Sequence, residues 1–142
     1  MAKSGRFGLS LRILTVLASE PGTMQTSAVI AEKLSESAVM VRRCFLLLHK
    51  KGLIDQRKGP HGGAMLKLPA KQIGLGDIYA ASEDGWLTLN DPAIGGLLKR
   101  ATEDGVQALN DTTLAQVLKR IRKNSTQTKA VNGTAPKKKA VA

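Results

Sequence analysis

Cysteine is nearly absent from this 142-residue chain: Cys44 is the only one. One thiol cannot close an internal disulfide, and it is too few for a zinc or iron–sulfur site built within one chain. Aromatic residues make up only 3% of the sequence. The core is therefore aliphatic, and base stacking on an aromatic platform is not the expected way to hold a nucleic acid. No apolar run reaches the ~18–20 residues of a membrane span. Residues 1–10, MAKSGRFGLS, lack a signal-peptide apolar core with a small-residue cleavage site. These absences predict a cytoplasmic chain without a membrane partner. His49 and His61 have no cysteine, histidine or carboxylate neighbours that would make a metal site. No Ser–His–acid set stands at recognisable spacing, and no GxGxxG fingerprint occurs. No catalytic residue, metal or cofactor is expected, and the chain does not read as an enzyme.

Acid is scarce as well. There are 11 Asp and Glu against 22 Lys and Arg, a net charge of +11 with a pI near 10.2. Five of the lysines lie from Lys123 onward, and without them the body still carries 17 basic against 11 acidic residues, or +6. An anionic partner is the simplest reading, set against that of a generally soluble basic protein. Hydrophobic residues reach 42%, enough for one domain with a real core and an appended tail.

What is present is a helical pattern interrupted once by a glycine-rich turn. Residues 6–18 carry Phe7, Leu9, Leu11, Ile13, Leu14, Val16 and Leu17, which predicts a helix apolar on more than one face, shared between a core and a partner subunit. Thr26 is a candidate N-cap for a second helix at 27–34, and Ser37 for a third at 38–51. Two short helices joined by about three residues form a helix-turn-helix. In the third helix Val41, Cys44, Phe45 and Leu48 follow core spacing, with Arg42 and Arg43 projecting from the other side. The run Leu46, Leu47, Leu48 predicts that the second half of this helix is buried nearly all round, which confines its reading surface to 37–43.

Gly52 ends the third helix, and residues 53–57 and 64–68 are strands flanking the turn Gly59-Pro60-His61-Gly62-Gly63. A fourth helix is expected at 74–83, then a loop with Trp86, then a long helix opened by Asp91-Pro92. Ile94, Leu97, Leu98, Ala101, Val106 and Leu109 keep helical spacing over about five turns. An apolar stripe outside a complete domain needs cover, and a second copy of the chain is the economical answer. Thr112 or Thr113 can cap a final helix. The last residues, ending APKKKAVA, read as a disordered tail that adds non-specific nucleic-acid affinity or only solubility. The chain is therefore divided into a DNA-binding domain at 1–84, dimerisation helices at 85–123 and a basic tail at 124–142.

The segments RFGLSLRILTVLA, VRRCFLLLHKKGLI and RKGPHGGAMLKLPAKQIGLGDIYAASE, with the helix-turn-helix between, resemble the bacterial winged-helix regulators typified by IscR and NsrR, the Rrf-two family. The glycine-rich wing, its following proline and the I-x-L-x-D-I-Y-A-A segment are the most specific parts. ALNDTTLAQVL resembles the family's C-terminal segment, so the likeness covers about residues 4–122. It implies a mainly α fold with a small β-hairpin wing and a long dimerisation helix. It also implies a homodimer that binds a palindromic operator and represses transcription. By the same resemblance Ser37, Val39, Met40, Arg42 and Arg43 contact the major groove, Lys58 enters the minor groove, and the stripe Ile94, Leu97, Leu98, Ala101 and Val106 forms the dimer contact. Members that hold an iron–sulfur cluster carry three cysteines after the fourth helix. Residues 83–100 contain none here, so a cluster of that type is not expected.

The residues themselves support double-stranded DNA as partner. A guanidinium can bond guanine O6 and N7 bidentately, so Arg42 and Arg43 read as base or phosphate contacts. Arg57, Lys58 and His61 on the hairpin read as backbone or minor-groove contacts. Cys44 is either a buried small hydrophobe or a thiol sensor placed to move the third helix. Two alternatives to a sequence-specific regulator stand beside it: a protein-interaction adaptor on the same fold, and a redox sensor using Cys44. Neither the operator nor any effector is legible.

Overall fold

A computed structural model of the protein describes residues 5–82 and 91–126. The expected Trp86 loop, the boundary at 84/85 and most of the lysine-rich tail lie outside those residues. Three helices come first: α1 (Arg6–Ser19), α2 (Ser27–Leu34) and α3 (Ala38–Lys50). They are followed by a hairpin of β1 (Ile54–Arg57) and β2 (Gly63–Leu66), a 3-10 turn (Ala70–Gln72), α4 (Leu75–Ser82) and α5 (Gly95–Leu109). A last helix, α6, covers residues 114–126, three residues into the stretch assigned to the tail. No helix of the described residues is long and apolar enough to cross a membrane.

The core is aliphatic, as the shortage of aromatics requires. Leu9, Ile13, Leu14 and Leu17 of α1 meet Ile30 of α2, Val41, Phe45 and Leu48 of α3, and Ile78 of α4. Each fully buried side chain of this size contributes roughly 1.5–3 kcal/mol of transfer free energy. Phe7, half-buried on α1, sets its ring edge-on to Tyr79 of α4 at 5.6 Å between centroids. Leu114, at the start of α6, is also in this core, so the chain returns to it after α5.

The caps explain the helix starts. The Thr26 hydroxyl accepts from the Val29 N–H at 3.2 Å and fixes the start of α2. Thr113 and Gln116 cap each other reciprocally at 2.9 and 3.3 Å, which opens α6. Ser37 stands at the N-cap position of α3, but its side chain makes no capping bond, contrary to the sequence reading. Asp91 accepts from the N–H groups of Ala93 and Ile94, yet residues 92–94 form a turn and the regular helix begins only at Gly95. The long helix is therefore 15 residues, about four turns rather than five.

The hairpin is antiparallel, with Ile54 opposite Leu66 and Arg57 opposite Gly63. A third piece of backbone joins it: Gln25, just before α2, exchanges two hydrogen bonds with Ala64 at 2.9 and 2.8 Å. The wing is thereby sewn to the entrance of the helix-turn-helix. Gly63 makes this possible. Its φ is 128°, and a Cβ there would run into the Gln25 carbonyl. Gly63→Ala is expected to cost on the order of 1–3 kcal/mol through backbone strain, seen as a lowered thermal midpoint, and to weaken DNA binding by displacing the wing.

Candidate nucleic-acid interface

The turn between α2 and α3 is set by backbone chemistry. Ser35 takes a left-handed conformation (φ 55°), and the Glu36 N–H reaches back to the Ala31 carbonyl at 2.9 Å. Arg12 of α1 clamps this turn from the side. Its guanidinium donates to the Leu34 carbonyl at 2.8 Å and to Glu36 at 3.2 Å. A partly exposed ion pair adds little stability. Here it fixes where α3 begins and occupies the acid nearest the start of α3.

On α3, Val41, Cys44, Phe45 and Leu48 are buried, as their spacing predicts. Ser37, Val39, Arg42 and Arg43 are exposed. Met40 differs from this set: it is half-buried and packs partly against the core. Leu46 departs in the opposite sense. It is 60% exposed and Leu47 is half-buried, so the second half of α3 is not buried all round. The reason is angular. At 100° per residue three consecutive leucines cannot share a face, and nothing among the described residues covers the side opposite Leu48.

The helix ends at Lys50, with Lys51 as its C-cap, Gly52 in the left-handed region (φ 81°) and the Leu53 N–H bonded to the Leu48 carbonyl at 3.1 Å. His49 Nδ1 lies 3.3 Å from the Ile54 carbonyl, linking the end of α3 to the first wing strand. Its role is thus to position the hairpin. Arg57, Lys58 and His61 are exposed at the far end of that hairpin. Arg42, Arg43, Arg57 and Lys58 make no hydrogen bond or ion pair with any described residue. Four cationic groups are therefore available to an anionic ligand on one helix and the hairpin that follows it.

Cys44 is fully buried. Burial pushes its thiol above the ordinary thiol range. The neighbouring Ser10 hydroxyl and the charges of Arg6 and Arg43 act the other way without offsetting it. The Ser10 hydroxyl is itself buried, so the pair is a weakly polar contact between α1 and α3. A protonated, inaccessible thiol is a poor nucleophile. Alkylation of the folded protein is expected to be no faster than its unfolding, and Cys44→Ala to leave DNA affinity unchanged. Because the folded thiol resists ionisation, its contribution to stability is full below the ordinary thiol pKa. That contribution is lost as pH rises through the shifted value. Melting curves of the wild type and Cys44→Ala at alkaline pH check this.

Beyond the wing, α5 is attached at one end. Asn110 accepts from the Asp77 N–H at 3.0 Å and returns an amide hydrogen bond to the Asp77 carboxylate at 3.4 Å. The Thr112 carbonyl and Leu114 N–H bond Leu75 and Ile73 at 2.9 and 2.7 Å. Not one α5 residue is buried. Leu97 is 69% exposed and Ile94 47%; Ala101 is exposed and Leu98 half-buried. Val106, assigned with them from the sequence, is half-buried and shares a groove with Ala80 of α4, on the side of Thr102 and Asn110. Twelve residues beyond Ile94, it has rotated about 120° from the outward stripe.

Among the described residues no group of three His, Cys, Asp or Glu side chains could hold a metal ion. The helix-turn-helix, the hairpin and the projecting α5 form an arrangement shared with known proteins. T. potens IscR superposes with a TM-score of 0.64 at 23% identity, covering 85% of this chain and 88% of that one. CymR, the global cysteine regulator of B. subtilis, gives 0.64 at 23%, covering 84% and 98%. The oxidized form of Staphylococcus aureus CymR gives 0.61 at 28%, covering 83% and 96%. By sequence, an HTH-type transcriptional regulator of Neisseria meningitidis is 31% identical over 84 residues, 59% of this chain and 56% of that protein. IscR of Cronobacter sakazakii is 30% identical over 84 residues, 59% and 51%. The matched stretch thus spans about half the length of these curated relatives. The family described as "Rrf2: Iron-dependent Transcriptional regulator" matches residues 4–128. The iron of that description does not fit a cluster held by several cysteines of this chain, because its one cysteine lies in the core. With the fold, the sequence relatives and residues 4–128 in agreement, the chain belongs to the Rrf2 family of transcriptional regulators.

Proposed function

We propose that this protein is a cytoplasmic, sequence-specific DNA-binding regulator that acts as a homodimeric repressor on a palindromic operator. In this reading α3 enters the major groove, the wing lies along the adjacent backbone or minor groove, and the α5 stripe pairs with its twin. The observation that carries it is the set of unpaired cations Arg42, Arg43, Arg57 and Lys58 on α3 and the wing, with Glu36 already engaged by Arg12. Phosphate contacts fix register, and only groups at base edges add sequence content. Two copies related by a twofold axis present two recognition helices, which is why the operator should be palindromic. Footprinting the purified protein on the DNA upstream of its own gene, at several salt concentrations, tests this. Salt-sensitive protection of a palindrome is expected. Salt-independent association with another protein and no protection would mark an adaptor on the same fold instead.

A further inference from the structure

The outward face of α3 is not uniformly basic. Val39 is 63% exposed and Leu46 60%. They are seven residues apart, so they lie within about 20° of one another and about 10.5 Å apart along the helix axis. Both sit roughly opposite Leu48, a core residue, at about 180° and 160° around the helix. These two side chains therefore point most directly away from the domain. Arg42 and Arg43 flank that line on either side, and Lys50 follows it. Whatever α3 docks against meets two aliphatic groups at the centre and cations at the edges.

The cations select a polyanion, and they commit the face to one occupant. A duplex presents phosphates at the rims of its major groove and base edges on the floor. The hydrocarbon group on that floor is the thymine C5-methyl. We propose that Val39 and Leu46 read thymine methyl groups. Their spacing along α3 corresponds to about three base-pair steps, one methyl for each residue. Arg42 and Arg43 then work at the sides of the same track, on guanine edges or phosphates. The inference rests on α3 entering the major groove and specifies which base chemistry that helix selects.

The test begins with the half-site that the full-length protein selects from a random-sequence duplex library. Thymines in that site are replaced one at a time by uracil, which keeps pairing and removes only the methyl. Binding of wild type, Val39→Ala and Leu46→Ala is then measured on each duplex. Both residues are exposed, and circular dichroism of each variant checks its folding. The expected result is a loss of about three- to tenfold at one or two positions for the wild type, the scale of one buried methyl. At a given position the loss should vanish in one variant and persist in the other. Selective binding that is indifferent to every uracil overturns the inference and leaves the DNA-binding reading intact. A uracil penalty that both variants retain at every position also overturns it. If no duplex is selected at all, the DNA-binding reading falls and the inference with it.

Discussion

Leu97→Asp is expected to convert the protein to a monomer and to abolish high-affinity operator binding while the winged domain remains folded. The structural basis is the condition of α5. It is a 15-residue helix with no buried residue, tied to the domain through Asn110 and residues 112–114. An isolated helix of that length is marginal in water, so its order has to come from packing. Its inner side finds some in α4, around Thr102, Val106 and Asn110. Its outer side, with Ile94, Leu97, Leu98 and Ala101, is without cover among the described residues, and Leu97 is at its most exposed point. If that stripe meets its symmetry mate, a carboxylate at 97 is buried twice in each dimer, unpaired and near its own copy. One uncompensated buried charge costs about 3–5 kcal/mol. The dissociation constant of the dimer should therefore rise by well over a hundredfold. Sedimentation equilibrium reads that directly. Affinity for a palindrome should then fall by about 10²–10⁴, because two linked half-site contacts become independent ones. Lys99→Gln, an exposed residue about 160° around the helix from Leu97, is the control and should remain dimeric. A Leu97→Asp protein that sediments as the wild type does would remove α5 from the interface.

Local patterns in the sequence transferred well to the structure. The bounds of α2, the Thr26 cap, the Thr113 cap and the buried set Val41, Cys44, Phe45 and Leu48 all depend on residues within two turns of each other. The leucine run 46–48 predicts burial on every side, yet at 100° per residue its side chains point in different directions and Leu46 faces outward. A helix buried all round needs a cover for every face, and the described residues provide none there. The Gln25–Ala64 backbone pairing and the Asp77–Asn110 exchange were invisible for a different reason. They join residues more than thirty positions apart and leave no periodic signature. The candidate site followed the same division. The arginines and the wing cations were legible as charge on a helix and a turn. Arg12 carries no local signal, because its contacts with Leu34 and Glu36 exist only once α1 crosses the turn. Met40 immediately precedes core residue Val41, and the core stripe of α3 is wide enough to take its side chain partly in.

Arg42→Ala and Arg43→Ala should separate base reading from charge. Both side chains are exposed and make no hydrogen bond or ion pair with the described residues, so removing either should leave folding stability within about 0.5 kcal/mol. Any loss of binding is then attributable to the interface. A guanidinium set bidentately on guanine supplies ~1–3 kcal/mol of discrimination, or roughly five- to 150-fold in affinity for the cognate duplex. Such a contact contributes little on a scrambled duplex. A phosphate contact instead weakens both duplexes alike and lowers the salt slope by about one. Arg57→Ala and Lys58→Ala on the wing supply the comparison, and they show the phosphate signature where the hairpin lies on the backbone. At least one of the two α3 arginines is expected to show the base signature, with cognate binding lost and scrambled binding nearly unchanged. Substitution by lysine should not rescue it, since a single ammonium cannot reproduce the fork of donors. Equal losses on both duplexes for both arginines would assign them to the backbone. Selectivity would then have to come from the aliphatic line of Val39 and Leu46 between them or from the deformability of the duplex.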